Sequence, residues 1–485
     1  MTRFKFFDMN KKKIIFVTIY IILIFLLAAY KHYTFQSTYE LGIENRKLIQ
    51  TMKGHFYYFD DFDWNDLGNH FHIVNILIVF PIHYLFSSVY TLIIIKILAL
   101  VTSALVVYEI SKDLGDVADL LFYGFLMFPM IIHIQLEDYH AVIFSVPFFL
   151  LTFLAFQKNW TKRFYLFLIC LLLVQEDISL MVIMLGGYLF FHDKARGIKV
   201  LLIGIIAFLL IPNMIQPAIM NSEWFFHYSY KYGYLGSTLP KIVKTIVTNP
   251  IHSFTYTPLY QKAILIKSLL TPYAFLPLLS PISIIAIPPI LEIALHDGVE
   301  HMCSNSYHAL PIYVVFFVAT IDVLRRMTVK WRKKIAKTLF VLIIIFLLIG
   351  EVGHWLSDDY LFNYNFFGGE SCKKNEFQFF TEDRNFIASQ NYKKIHELID
   401  EIPENSSVLV PFHLYSHFTN FKTTKTFYAI DDCFNYDYII FDKQDVYLPN
   451  LERFDVILED LKKGYEVILQ IDRLYILEKN EGICI

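Results

Sequence analysis

The chain has 485 residues, 56% hydrophobic and 18% charged, and its apolar runs recur from the N-terminus to about residue 353. That is more apolar surface than a water-soluble globule of this length buries, so the composition excludes a soluble protein and calls for lipid as solvent. A net charge of -3, with no basic, aromatic-interleaved domain, excludes nucleic acid as a partner.

Residues 1–13 carry Arg3, Lys5, Lys11, Lys12 and Lys13 against the single acid Asp8, and the apolar run Ile14 to Tyr30 follows. The positive-inside rule places this end in the cytoplasm. A cleaved signal peptide is the rival reading, but the run is long and Lys31-His32-Tyr33 offers no small-residue cleavage site. The first helix is therefore read as uncleaved. A long outer loop, 31–72, comes next, and then Ile73 to Phe86, read as an interfacial or re-entrant helix interrupted by Pro81.

Further spans are predicted near 89–110, 119–134, 141–157, 164–175, 178–191, 199–216, 263–279, 282–296, 309–324 and 338–354, about 11 with the first. Three basic loops anchor them to the cytoplasm: Lys158 to Arg163, Lys194 to Lys199, and Arg325 to Lys337, which holds seven Lys or Arg and no acid. The stretch Phe164 to Phe191 is too long for one span and breaks at Gln175-Glu176-Asp177, so its tip is outside. A second large outer loop is 217–262. Thr271 to Pro289 holds five prolines and reads as a broken helix pair or a re-entrant segment.

The transmembrane domain thus runs over 14–354, and an odd count of spans places 355–485 outside. There Arg384 to Glu401 and Leu451 to Lys463 have helical periodicity. Ser407 to Pro411, Tyr438 to Asp442 and a pair meeting at Asp472-Arg473 within Tyr465 to Lys479 read as strands. The fold class is an α-helical polytopic membrane protein with a small C-terminal α/β domain. Cys170, Cys303, Cys372, Cys433 and Cys484 form no C-x-x-C pair, which removes zinc and thioredoxin-like sites. Free thiols are the default, with a Cys372–Cys433 disulfide as the alternative.

This topology sends nearly all the acids and histidines to the outer side, from five separate loops. Ionisable groups at a membrane boundary are unfavourable unless solvated or paired, so a shared outward cavity is a site hypothesis. Glu40 closely follows the first helix and is a candidate general base, against a solvated acid or a helix cap. The run Asp60-Asp61-Phe62-Asp63-Trp64-Asn65-Asp66 offers oxygen ligands for a divalent cation, but it departs from the calcium-loop pattern, and a solvated turn is preferred. His70 and His72 share a face only in a strand. Asp138 is placed to orient His140 at one hairpin tip, and Glu176-Asp177 occupies another. Lys96, about two turns into its span, either meets a lipid-linked phosphate or snorkels to the surface. The aromatic run His227 to Tyr232 is a sugar platform or an interfacial belt.

The order of these pieces resembles the prokaryotic membrane proteins of domain of unknown function 2079. The stretches that carry the likeness are Tyr39-Glu40-Leu41-Gly42-Ile43, Asn69-His70-Phe71-His72-Ile73, Asp138-Tyr139-His140, Gln175-Glu176-Asp177, Tyr232-Gly233-Tyr234-Leu235-Gly236, the Pro-rich Leu276 to Pro289, and Tyr307-His308-Ala309-Leu310-Pro311. Members of that family look like GT-C glycosyltransferases. The resemblance implies a polyprenyl-phosphate sugar as donor, a glycan or protein acceptor on the outer face, and Glu40 where the family usually shows Asp. Beside Glu40, the candidate substrate-binding residues are His70, His72, Lys96, Asp138, His140, Glu176, Asp177, Tyr232 and His308, with no firm cofactor and no metal ligand assigned. A multi-pass transporter or lipid flippase is the competing reading, since Lys267 and Glu292 fall in apolar spans. A non-catalytic scaffold would leave the outer acids without a role.

Overall fold

The computed structural model describes residues 10–37, 39–220, 229–298, 302, 304, 306–348, 392–427, 433–442, 454–471, 474–480 and 483–484. Among these, five helical stretches are long and apolar enough to cross a membrane, Lys11–Tyr33, Val89–Leu114, Asp116–Leu136, Lys194–Met220 and Tyr307–Arg326. Shorter apolar helices, Asn75–Phe86, Ala141–Gln157, Ile178–Phe190 and Pro281–Ala294, pack among them. His227, at the start of the predicted aromatic run, and the proposed Cys372–Cys433 disulfide lie outside the described residues or side chains.

Helix α1 (Lys11–Tyr33) is capped by Asn10, whose side chain accepts from the Lys13 backbone N–H at 3.0 Å. A sharp turn leads into α2 (Tyr39–Met52), and a small ribbon, β1 (Tyr58–Phe59) with β2 (Trp64–Asn65), closes the first loop. Residues 75–79 are π-helical and run straight into α3 (Phe80–Phe86). The expected break at Pro81 is absent because the wider turn, with Phe80 N–H bonded to Asn75 O, makes room for the ring. Helix α4 (Val89–Ser111) follows, and then α5 (Asp116–Leu126) and α6 (Pro129–Leu136), a single predicted span bent where Pro129 starts a new helix.

Next come α7 (Ser145–Gln157), α8 (Thr161–Leu172), α9 (Ile178–Phe190) and α10 (Lys194–Leu210). Helices α9 and α10 touch backbone to backbone: a Cβ on Gly186 would lie 2.4 Å from Leu201 N. Close approach through small residues is how helices associate where lipid removes the hydrophobic drive. A π-helical stretch around Pro212 leads from α10 to α11 (Gln216–Met220).

The second loop supplies α12 (Ser229–Tyr232), α13 (Leu239–Thr248) and α14 (Pro250–Thr255), and α15 (Leu259–Leu270) re-enters the bundle. The proline-rich stretch is a chain of 3-10 turns, with Ala274 and Phe275 in the left-handed region, before α16 (Ile287–Ala294). Helices α17 (Leu310–Arg326) and α18 (Val329–Leu347) complete the bundle. At its basic end, Arg325 pairs with Asp113 at 2.7 Å, Lys333 with Asp116 at 2.9 Å, and Lys13 with Asp119 at 2.5 Å, fastening four helix ends together.

In the C-terminal domain, strands β3 (Ser407–Val410), β4 (Thr423–Thr426) and β5 (Tyr438–Asp442) are parallel, while β6 (Tyr465–Ile471) and β7 (Leu474–Lys479) are antiparallel to each other, with β7 on β5. They form one five-stranded sheet in the order β4-β3-β5-β7-β6. Alternation builds both faces. Val408, Val410, Ile440 and Ile476 meet Ile395 and Ile399 of α19 (Tyr392–Glu401) on one side. Leu409, Ile439, Phe441 and Leu477 meet Leu458 and Leu461 of α20 (Phe454–Leu461) on the other.

Candidate functional site

Helix α2 carries Glu40, Glu44 and Lys47 at i, i+4 and i+7, one row on one face. That row is not solvated. Lys47 Nζ donates to Glu44 Oε1 and to Asp66 Oδ2, both at 2.6 Å, and Lys47 is buried. Glu44 Oε2 accepts from Tyr57 Oη at 2.9 Å and from Asn75 Nδ2 at 2.8 Å, and Tyr139 Oη in turn donates to Asn75 Oδ1 at 2.6 Å. His72 Nδ1 lies 3.7 Å from Glu44 Oε1. Burial pushes the Glu44 carboxyl up, but the Lys47 ammonium and His72 outweigh it and hold it well below the usual range.

Glu40, in the first turn of α2, sits at the open end of this network. Burial pushes its carboxyl up to about 7; Lys47 pulls the other way, and Glu44, Asp138 and Asp66 add to the rise. Asp138 is 3% exposed and accepts from the Leu41 backbone N–H at 3.4 Å, which fixes the first turn of α2 over the end of α6. Two ammonium groups converge at the same place. Lys31 Nζ donates to Leu136 O at 3.2 Å and Lys96 Nζ to Glu137 O, both at the carbonyl end of α6, where the helix dipole favours cations. Lys96 is 1% exposed, so it does not snorkel; helix packing holds it inside. Lys31 escaped the sequence reading because it stands at the end of an apolar run, where a boundary lysine is ordinary.

The remaining candidates form a second group beside the first. His70 and His72 lie on a loop rather than a strand, yet their rings stack at 5.2 Å. Glu176 accepts from the Phe71 backbone N–H at 2.9 Å and stands 3.3 Å from His70 Nδ1, so it pins the first loop to the α8–α9 tip. His140 stacks on Tyr307 at 3.6 Å, and burial lowers its imidazole to about 3 against the pull of Asp138 and Glu44, which keeps it neutral. Asp177, Glu292 and His308 line a small cleft between α9, α16 and α17. Glu292 was read only as a charge in an apolar span; its side chain faces Asp177. Tyr232 donates to Glu292 O at 2.8 Å and packs with Leu235, Ile242 and Leu295, so it ties the second loop to α16.

The acidic run of the first loop is a clasp rather than a solvated turn. Asp60 pairs with Arg46 and accepts from Gln50 Nε2 at 2.7 Å; Asp61 accepts from Tyr39 Oη and, at 2.8 Å, from Thr426 Oγ1; Asp63 meets Lys425 at 3.1 Å. Arg46 further donates to the carbonyls of Thr419 and Lys422, each at 2.8 Å. Asp60 is taken up by α2 itself, whereas Asp61 and Asp63 are taken up by partners in the distant sheet domain, and it is these that sequence alone leaves unseen. Among the described residues no three His, Cys, Asp or Glu side chains converge as a metal site.

The whole chain is similar in fold to the crystal structure of ArnT from Cupriavidus metallidurans bound to undecaprenyl phosphate: the TM-score is 0.52 at 9% identity, with 97% of this chain and 98% of that chain covered. A search by sequence among curated proteins matches none. The family model described as "Predicted membrane protein (DUF2079)" matches residues 31–467, which spans the first loop, the helical bundle and most of the sheet domain, and the chain belongs to that family.

Proposed function

We propose that the protein is a membrane glycosyltransferase of GT-C type that moves a sugar from a polyprenyl-phosphate donor to an acceptor on the outer face of the membrane. The observation that carries this reading is the placement of a carboxyl group raised to about 7, Glu40, beside Asp138, which in turn faces the buried Lys96 and its neighbour Lys31 at the end of α6. A base near neutrality removes a proton from an attacking hydroxyl, and paired cations stabilise a departing phosphate. The likeness of fold to a protein solved with undecaprenyl phosphate supports a lipid-linked ligand.

In this scheme the acceptor hydroxyl attacks the anomeric carbon, its proton passes to Glu40, and the bond from that carbon to the phosphate oxygen breaks. The electron pair leaves on polyprenyl phosphate, whose charge Lys96 and Lys31 receive. Asp138 holds α2 in register through Leu41, and His140, Asp177 and His308 border the space for the sugar and acceptor. Glu44, Lys47, Asp66, His70, His72, Glu176 and Tyr232 position these groups. The N-terminus is then cytoplasmic and the sheet domain extracytoplasmic, facing the glycan or protein acceptor.

The test is transfer of radiolabelled sugar from polyprenyl-phosphate donors in membranes with wild-type or Glu40→Gln protein. Loss of transfer of about a hundredfold or more in the variant is expected for removal of a general base, and full retention refutes the assignment. The half-buried Glu292 beside Asp177 favours a transporter as second reading; solute uptake lost in Glu292→Gln with glycans unchanged would establish it.

A further inference from the structure

The basic end of the membrane domain holds a second assembly, remote from α2. The α7–α8 turn (residues 158–160) and the α9–α10 turn (residues 191–193), with the starts of α8 and α10, carry Lys158, Lys162, Arg163, Lys194, Arg196 and Lys199 against one acid, Asp193. Arg196 bridges the two hairpins. Its guanidinium carbon lies 5.4 Å from the ring centres of both Phe156 on α7 and Phe164 on α8. Asp193 accepts from the Arg196 backbone N–H at 3.0 Å and lies 3.3 Å from Nε, so the acid occupies one edge of the fork. At the other edge, Nη1 is shut off from water and has no hydrogen-bond partner. A buried cationic donor without an acceptor is unfavourable, and a planar fork held on two aromatic faces is already shaped for paired anionic oxygens. Beside it, the outward residues Leu166 of α8 and Ile198 and Leu202 of α10 are exposed and apolar, a surface for acyl chains.

We propose that Arg196, with the basic turns around it, binds the phosphodiester headgroup of an anionic phospholipid in the leaflet that meets this end of the bundle. The site stands apart from the transferase reading and does not depend on it. The experiment uses full-length protein in nanodiscs of phosphatidylcholine with a minor fraction of phosphatidylglycerol, and native mass spectrometry counts the lipid that stays bound. The wild type is expected to retain phosphatidylglycerol preferentially, and Arg196→Gln to lose about fivefold of that preference, the effect of one cationic side chain at a membrane surface. Arg196→Lys keeps the charge and removes the fork, so an intermediate loss is expected. Wild-type preference in either folded variant overturns the proposal, and if Arg196→Gln does not fold, Arg196→Lys decides. Displacement of the lipid by millimolar inorganic phosphate also overturns it, in favour of a soluble anion.

Discussion

Glu40 and Glu44 are one turn apart, yet their environments drive them in opposite directions. Burial raises Glu40 to about 7 with acids around it, whereas Lys47 and His72 hold Glu44 low. A base active only when deprotonated gives a rate that rises with pH through about 7 and levels off above it. The pH profile of kcat/KM for sugar transfer is expected to show that rising limb, and Glu40→Asp to keep it at reduced height because the shorter side chain reaches less far. Lys47 poses a stability question instead. Lys47→Met strands the buried carboxylates of Glu44 and Asp66 and is expected to cost about 3–5 kcal/mol, the usual range for breaking one partner out of a buried ion pair, read as loss of folded protein in a thermal aggregation assay. The sign with pH follows from Glu44: its folded value is depressed, so its stabilisation is present above the ordinary carboxylate range and is lost on acidification through the folded value.

Helix α2 is the element on which the site turns, and a single glycine lets it lie where it does. A Cβ on Gly42 would meet Tyr415 Cδ1 at 2.6 Å and the Ser416 backbone N at 2.8 Å. Gly42→Ala is expected to lift α2 off the sheet domain and expose the 31–72 loop, seen as faster cleavage in limited proteolysis with the bundle intact. Sequence did not show this element: residues 31–72 read as a loop in which only Glu40 stood out as a candidate base. The apolar spans and the strand pair within Tyr465 to Lys479 were readable, because periodicity is a local property. Strand β4 was missed because Thr423–Thr426 has no apolar alternation and is held instead by Asp61 bonds to Thr426. The acidic clasp was misjudged because a buried carboxylate such as Asp61 is recognisable only once its partner Thr426, far off in sequence, is known.

Over the whole molecule, the first loop joins two bodies. Phe35, Tyr39 and Phe59 enter the core beneath α19, where Val408, Val410 and Ile440 pack. A chain ended at residue 391 loses that cover and leaves Arg46 and Asp61 without their sheet-side partners. It is expected to accumulate poorly in membranes and to lack transfer activity, as judged by quantitative immunoblot and the labelled-sugar assay.

Because α2 presents Glu40 and Lys47 on one flank and Arg46 to Thr419 and Lys422 on another, the sheet domain is no interchangeable attachment. Chimeras between homologues that trade only the C-terminal segment inherit a mismatched seam, and those that trade residues 31–72 along with it keep a matched one. Exchange of the sheet domain within this family thus demands two cuts in the gene at opposite ends, made together.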